Sequence, residues 1–208
     1  MTNTLHRQGT RENLAGDYVI FSTSAAGYNK EGCAPQIKQF YQIVLRHDPV
    51  NVGGINTGNM TKDGIENILQ RVNDATHATA VFDNLDTLAK VVQELKEADL
   101  GFSINISGLI EGADECCRKA GLVRHSVEHS LGYVGAVNRL PERPVLEIST
   151  MCGHGMVSFN LVKKMIELVK LGKLTPAQAA GQLARPCECG AFNPKRAEFL
   201  LEQLRNMG

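Results

Sequence analysis

The chain has 208 residues, 43% of them hydrophobic and 21% charged, with 22 Lys+Arg against 22 Asp+Glu. That length suits one domain, or one with a small appendage, and buries a core without needing a disulfide or a metal to fold. A net charge of zero and the lack of any Lys/Arg run argue against nucleic-acid binding, and no apolar stretch approaches membrane-spanning length.

The first sixteen residues, "MTNTLHRQGTRENLAGD" with the Asp that follows, lack the apolar core of a signal peptide. They read as a flexible N-terminal arm, residues 1–16, on a cytoplasmic protein. Thiols are normally kept reduced in that compartment. The six cysteines then read as packed thiols, catalytic thiols or metal ligands.

From residue 17 strand and helix patterns alternate. "DYVIFST" predicts a buried strand. "APQIKQFYQIVLR" predicts a helix with Pro35 in its first turn and Ile37, Phe40, Tyr41 and Val44 on one face. A short strand follows near 50–55, then a helix over 61–75 with Thr61 as N-cap. "ATAVF", a helix carrying Leu85, Leu88, Val91, Val92 and Leu95, and "GFSINIS" together make a βαβ unit. A helix over about 111–120 precedes two predicted strands, "LVRHSVEHSLGYVG" and "RPVLEIST". Beyond Met156 the pattern is helical throughout. Met156, Phe159, Val162, Met165, Ile166 and Val169 form one stripe, "TPAQ" is a capping box, and Asn193 with Pro194 starts the last helix. The fold class is α/β or α+β: a single sheet of mainly βαβ-connected strands with flanking helices. Residues 17–155 form the α/β domain and 156–208 a C-terminal helical extension packed on it. Doubly wound and ferredoxin-like sheets both satisfy the pattern.

Chemistry concentrates in two turns. In "TMCGHGM" Cys152 and His154 stand two apart before a helix, whose N-terminal N–H groups favour thiolate over thiol. In "RPCECGAFNP" Cys187 and Cys189 also precede a helix. Each alone is matched by a plain alternative, a packed turn with buried thiols. Together they carry more, because a helical hairpin between them brings the turns near each other. Cys152, His154, Cys187 and Cys189 then form an N/S set, and soft thiolates select zinc, copper(I) or iron–sulfur clusters. Three cysteines suit a [4Fe–4S] cluster with one open iron, and Cys33 would close it. The expected cofactor is an iron–sulfur cluster, with zinc as the alternative. Cys152 and His154 are the candidate catalytic pair, and Cys152, Cys187, Cys189 and Cys33 the candidate ligands.

Ligands of open α/β sheets bind beyond the carboxyl ends of the strands. With mainly parallel strands, Ser22, Ser24, Asn56, Thr57 and Asn105 would line one rim and contact a small polar substrate; their alternative is ordinary turn chemistry. His125 and His129, four apart, share a face on either a helix or a strand, as metal ligands, a proton shuttle or plain surface residues. Cys116 and Cys117 point about 100° apart on a helix and cannot comfortably chelate one ion. They are read as packing residues without function.

"MCGHG", Met151–Gly155, resembles the segment around a catalytic cysteine in the proline racemase family. The resemblance implies a thiol pair moving a proton on and off an α-carbon. It covers these few residues only. The family's second segment is Pro-Cys-Gly, whereas "RPCECG" inserts Glu188 and Cys189, and this chain is shorter than that two-lobed fold. Three functions follow as expectations: a metal-dependent, first of all iron–sulfur, enzyme; a metal-free thiol enzyme built on Cys152; and a zinc-stapled binding or assembly module. Each leaves room for a homo-oligomer.

Overall fold

A computed structural model gives the architecture and describes residues 7–207. The first six positions of the expected arm lie outside the described residues. From Arg7 onward the arm is docked. The amide of Gln8 donates to the Thr150 hydroxyl at 3.0 Å, and a short helix α1 (Arg11–Leu14) is capped by Thr10.

The sheet contains β1 (Tyr18–Thr23), β2 (Asn51–Gly54), β3 (Gly58–Asn59), β4 (Ala78–Phe82) and β5 (Ser103–Ser107), in the order β3-β2-β4-β1-β5. Every pairing is antiparallel. Helix α2 (Ala34–Leu45) links β1 to β2, and helix α5 (Leu85–Ala98) links β4 to β5. Within each βαβ unit the two strands run parallel but are not neighbours, since a strand of the other unit lies between them. This is the split βαβ, or ferredoxin-like, arrangement, with β3 added at one edge.

The topology overturns the expected common rim. Strand ends alternate, so Ser22, Ser24, Asn56 and Thr57 lie at one end of the sheet while β4 and β5 finish at the other. Asn105 pairs with Phe21 in the middle of β5.

The sheet has two buried faces. On one, Tyr18, Ile20, Val52, Ala78, Ala80 and Phe82 meet α2, α5 and the single buried position, Ile68, of α4 (Ile65–Arg71). On the other, Val19, Phe21 and Val81 meet α7 (Arg143–Ser149), α8 (Phe159–Lys170), α9 (Pro176–Ala184) and α10 (Pro194–Asn206). Apolar residues alternating between the two faces along β1 supply both cores, as a strand covered on two sides requires.

Three sequence expectations fail. "PVLEIS" is helical, not a strand: Pro144 sits in the first turn of α7, and Val145 and Ile148, three apart, face the core. The helix expected over 61–75 is two helices, α3 (Met60–Asp63) and α4, broken at Gly64, whose φ of 78° ends the first. Its cap is Asn59, not Thr61. "LVRHSVEHSLGYVG" forms neither helix nor strand. Of the predicted stripe on α8, Val162, Met165 and Val169 are buried, while Met156 and Phe159 are exposed. The capping box of Thr175 and Gln178 is formed, with both bonds in place.

Candidate functional site

Two turns meet on the C-terminal helical side of the sheet. Helix α7 stops at Ser149, and Met151–Gly155 loops over to Ser158, the N-cap of α8. Gly155, at φ 70°, allows the reversal. The second turn is the α9–α10 connection, and its position is set by β2 and β3. The Asn59 side chain donates to the carbonyls of Ala184 at 3.4 Å, Arg185 at 3.2 Å and Cys187 at 2.9 Å. Asn51 donates to the Phe192 carbonyl at 2.9 Å. Gly190, at φ 71°, lies directly on Gly53, and a Cβ there would stand 2.4 Å from the Gly53 nitrogen. Only glycine permits both the conformation and the approach.

These anchors bring three thiols and an imidazole together. Cys187 Sγ is 3.8 Å from Cys189 Sγ, and Cys189 Sγ is 3.5 Å from His154 Nδ1. Cys187 is also the neighbour that most lowers the Cys152 thiol, which places Cys152 beside it. All three sulfurs are buried, while His154 reaches the surface. The contacts run as a chain, Cys152–Cys187–Cys189–His154. Among the described residues no group of three or more His, Cys, Asp or Glu side chains is arranged to hold a metal ion as the side chains stand.

The electrostatics divide the thiols by role. The Cys152 thiol is pulled well below its ordinary value, first by the hydrogen bond from Cys187, then by the backbone N–H groups of Met156, His154 and Val157, against the cost of burial. Cys189 is pulled down by Cys187 first, with the Ala191 N–H and His154 assisting, again against burial. Cys187 moves the other way. It keeps its proton because it donates toward both neighbours, and burial adds to that. The arrangement favours thiolate at Cys152 and Cys189 and keeps the proton on Cys187 between them. Thiolates are the ligating and nucleophilic form of cysteine.

A second buried cluster supports the same loop. Asp17 accepts from Arg196 at 2.8 Å, from Arg7, and from Asn193 at 3.0 Å. Arg7 also donates to the Ala191 carbonyl, just past Cys189. Two guanidiniums sharing one carboxylate are tolerable here because backbone and amide oxygens take further N–H groups; Arg196 also reaches the Gln8 carbonyl and Asn13. Sequence reading found Asn193 as a cap but missed Asn51, Asn59, Asp17 and Arg196. No local motif marks them, since the partners that tie them to the loop lie mostly more than a hundred positions away.

The other expected site residues lie elsewhere. Cys33 is buried in the opposite core and donates to the Asp74 carbonyl at 3.6 Å. It does not join the other thiols. Ser22 is buried within β1, between Ala78 and Ile104. Thr57 is buried and donates to the Gly54 carbonyl at 3.0 Å. Asn56 is an exposed turn residue at φ 72°, and Ser24 is half-buried just past β1. Asn105 lines a cavity of about 850 Å³ beside β5, as do the exposed His125 and His129. Neither that cavity nor the smaller one between α2 and α5 is lined by Cys152, Cys187 or Cys189. Cys116 is buried, and burial chiefly raises its thiol; Cys117 is half-buried. No helix among the described residues is long and apolar enough to cross a membrane. Compared with protein-family models, curated proteins and solved structures, the chain matches none.

Proposed function

We propose that Cys152, His154, Cys187 and Cys189 form a closed Cys₃His site for one tetrahedral zinc-type ion, and that the ion staples the α7–α8 and α9–α10 turns together. One observation carries the reading: Cys187, Cys189 and His154 stand with two edges of tetrahedral length, and Cys152 lies beside Cys187. Sulfur at about 2.3 Å and nitrogen at about 2.05 Å from a tetrahedral ion place two sulfurs about 3.8 Å apart, and sulfur and nitrogen about 3.5 Å apart. The observed edges are 3.8 Å and 3.5 Å. Closing the set requires the Cys152 sulfur to turn toward the same point and Cys187 to release its proton to solvent as metal binds. Burial of the sulfurs away from both cavities suits a structural ion, because structural zinc sites are closed and catalytic ones keep an open position.

The same spacing favours zinc over the [4Fe–4S] expectation. Each cysteine of a [4Fe–4S] cluster holds a different iron, which spaces the sulfurs by the body of the cluster, whereas 3.8 Å suits two thiolates on one ion. The function proposed is therefore a zinc-stapled binding or assembly module.

A second reading, a metal-free thiol enzyme, is favoured by one feature: Cys187 first, then the N–H groups of Met156, His154 and Val157, pull the Cys152 thiol well below its ordinary value without any ion. One experiment separates the readings. Protein purified anaerobically is analysed for metal and then titrated with Co²⁺. The staple predicts one ion per chain, tetrahedral cobalt–thiolate bands in the visible, and loss of both in Cys189→Ser. Iron with a broad visible charge-transfer band would restore the cluster. Metal-free protein that takes up no cobalt, while Cys152 alkylates rapidly, would replace the staple by the thiol enzyme.

A further inference from the structure

The segment after α6 (Ile110–Lys119) has the pattern of a strand but, among the described residues, forms no ladder with the sheet. Residues 122–134 form neither helix nor strand. Among the described residues, the backbone of Val123 to His129 makes no hydrogen bond. Alternation is nevertheless strict: Val123, His125, Val127, His129 and Leu131 fall on one face, and Arg124, Ser126 and Glu128 on the other. Its apolar side chains face water, with Val123 93% and Leu131 90% exposed. Unpaired backbone flanked by exposed apolar residues is the signature of a strand awaiting a partner. The chain's own nearest edge, β5, does not supply one, since the 850 Å³ cavity lies between β5 and this segment.

We infer that this segment pairs, antiparallel, with the same segment of a second copy of the chain, about a two-fold axis at Ser126. Charge selects both the direction and the register. Centred on Ser126, Arg124 of each copy faces Glu128 of the other, twice over, as a two-fold contact demands. Val127 then faces His125, and Val123 faces His129. A centre at Arg124 or at Glu128 would oppose like charges, and parallel pairing would do so at both positions. A centre at His125 or Val127 keeps the apolar faces together but sets Arg124 and Glu128 against uncharged residues. Arg124 now bonds Asp114 at 2.9 Å, with both side chains more than 40% exposed. A surface pair of that kind is weak, so exchanging it for Glu128 of the second copy costs little. The Val/His/Leu face of the resulting two-stranded ribbon settles over the cavity, against β5 and α6.

The test uses the full chain and sedimentation or light scattering over a dilution series. Glu128→Arg leaves the Asp114 bond untouched and sets a second guanidinium against Arg124. It should weaken dimerisation by roughly tenfold, given cross-strand pairs of a few tenths to one kcal/mol made twice. Arg124→Glu should weaken it similarly, and the double exchange Arg124→Glu/Glu128→Arg should restore it. Independently, Ser126→Cys should give a disulfide-linked dimer on mild oxidation, because opposed Cα atoms in an antiparallel pair lie within disulfide reach. A Val123→Cys chain should not, since its counterpart is His129. Circular dichroism confirms that each variant is folded. A wild-type chain that stays monomeric, a dimer indifferent to all three charge variants, or a double exchange no better than the singles would each overturn the inference.

Discussion

Asn59 performs two tasks with one side chain. Its oxygen caps α3, accepting from the Lys62 N–H at 3.0 Å, and its nitrogen holds the cysteine-bearing loop at three carbonyls. Asn59→Ala strands these groups in a buried place. The expected loss is about 2–3 kcal/mol, read as a lower urea midpoint with unchanged slope. Asn59→Asp should be as damaging, because it puts an acceptor where three carbonyl oxygens need a donor. Asp17 is the second single residue on which the loop depends. Asp17→Asn leaves two buried guanidiniums sharing a neutral amide, and breaking such a pair costs about 3–5 kcal/mol. The same urea titration checks it, and proteolysis should open first at the N-terminal arm, which the Arg7 and Arg196 contacts hold down.

At the scale of elements, α2 illustrates a cap borrowed from afar. Cys33, its N-cap, makes no side-chain capping bond. Asp74, from the loop before β4, receives the N–H groups of Gly32 and Ala34, both at 2.9 Å. Those bonds, Gly32 first, hold the Asp74 carboxyl below its ordinary value. The sign of the pH effect follows. A carboxyl depressed in the folded state stabilises fully above its unfolded value of about 3.9 and loses that contribution as pH falls through the lower folded value. Asp74→Asn should therefore flatten the melting-temperature curve below about pH 4, measured by circular dichroism from pH 7 to 2. Elements with their caps close in sequence, such as Thr175–Gln178 of α9 and Asn193 of α10, were legible from the chain alone. So was the meeting of the two cysteine turns. The rim was not, because a βαβ unit looks the same locally whether its strands are adjacent or split by another unit. Helix α7 was misread because a run as short as "PVLEIS" fits either period. Asn51, Asp17 and Arg196 carried no signal, since polar residues paired across the fold look like any others in the sequence.

The central strands of the sheet are buried on both sides, and α7–α10 cover β1 and β4 on one of them, leaving β5 to the cavity. Truncation after Gly155 would uncover Val19, Phe21 and Val81. The shortened chain should be insoluble, or bind a hydrophobic dye and be cut by protease faster than the 208-residue chain. The Gly53–Gly190 contact has a consequence in time. Residues far apart in sequence touch backbone to backbone there, and we expect the cysteine loop to dock after the sheet forms. A chain closure that long costs entropy that must be met before its contacts stabilise anything. An ion held by Cys152, His154, Cys187 and Cys189 would then be absent from the folding transition state and present only after it. Interactions of that kind slow unfolding and leave the folding rate unchanged. Stopped-flow chevrons with and without zinc should differ in the unfolding limb alone, which would make the ion a clasp that keeps the finished molecule shut.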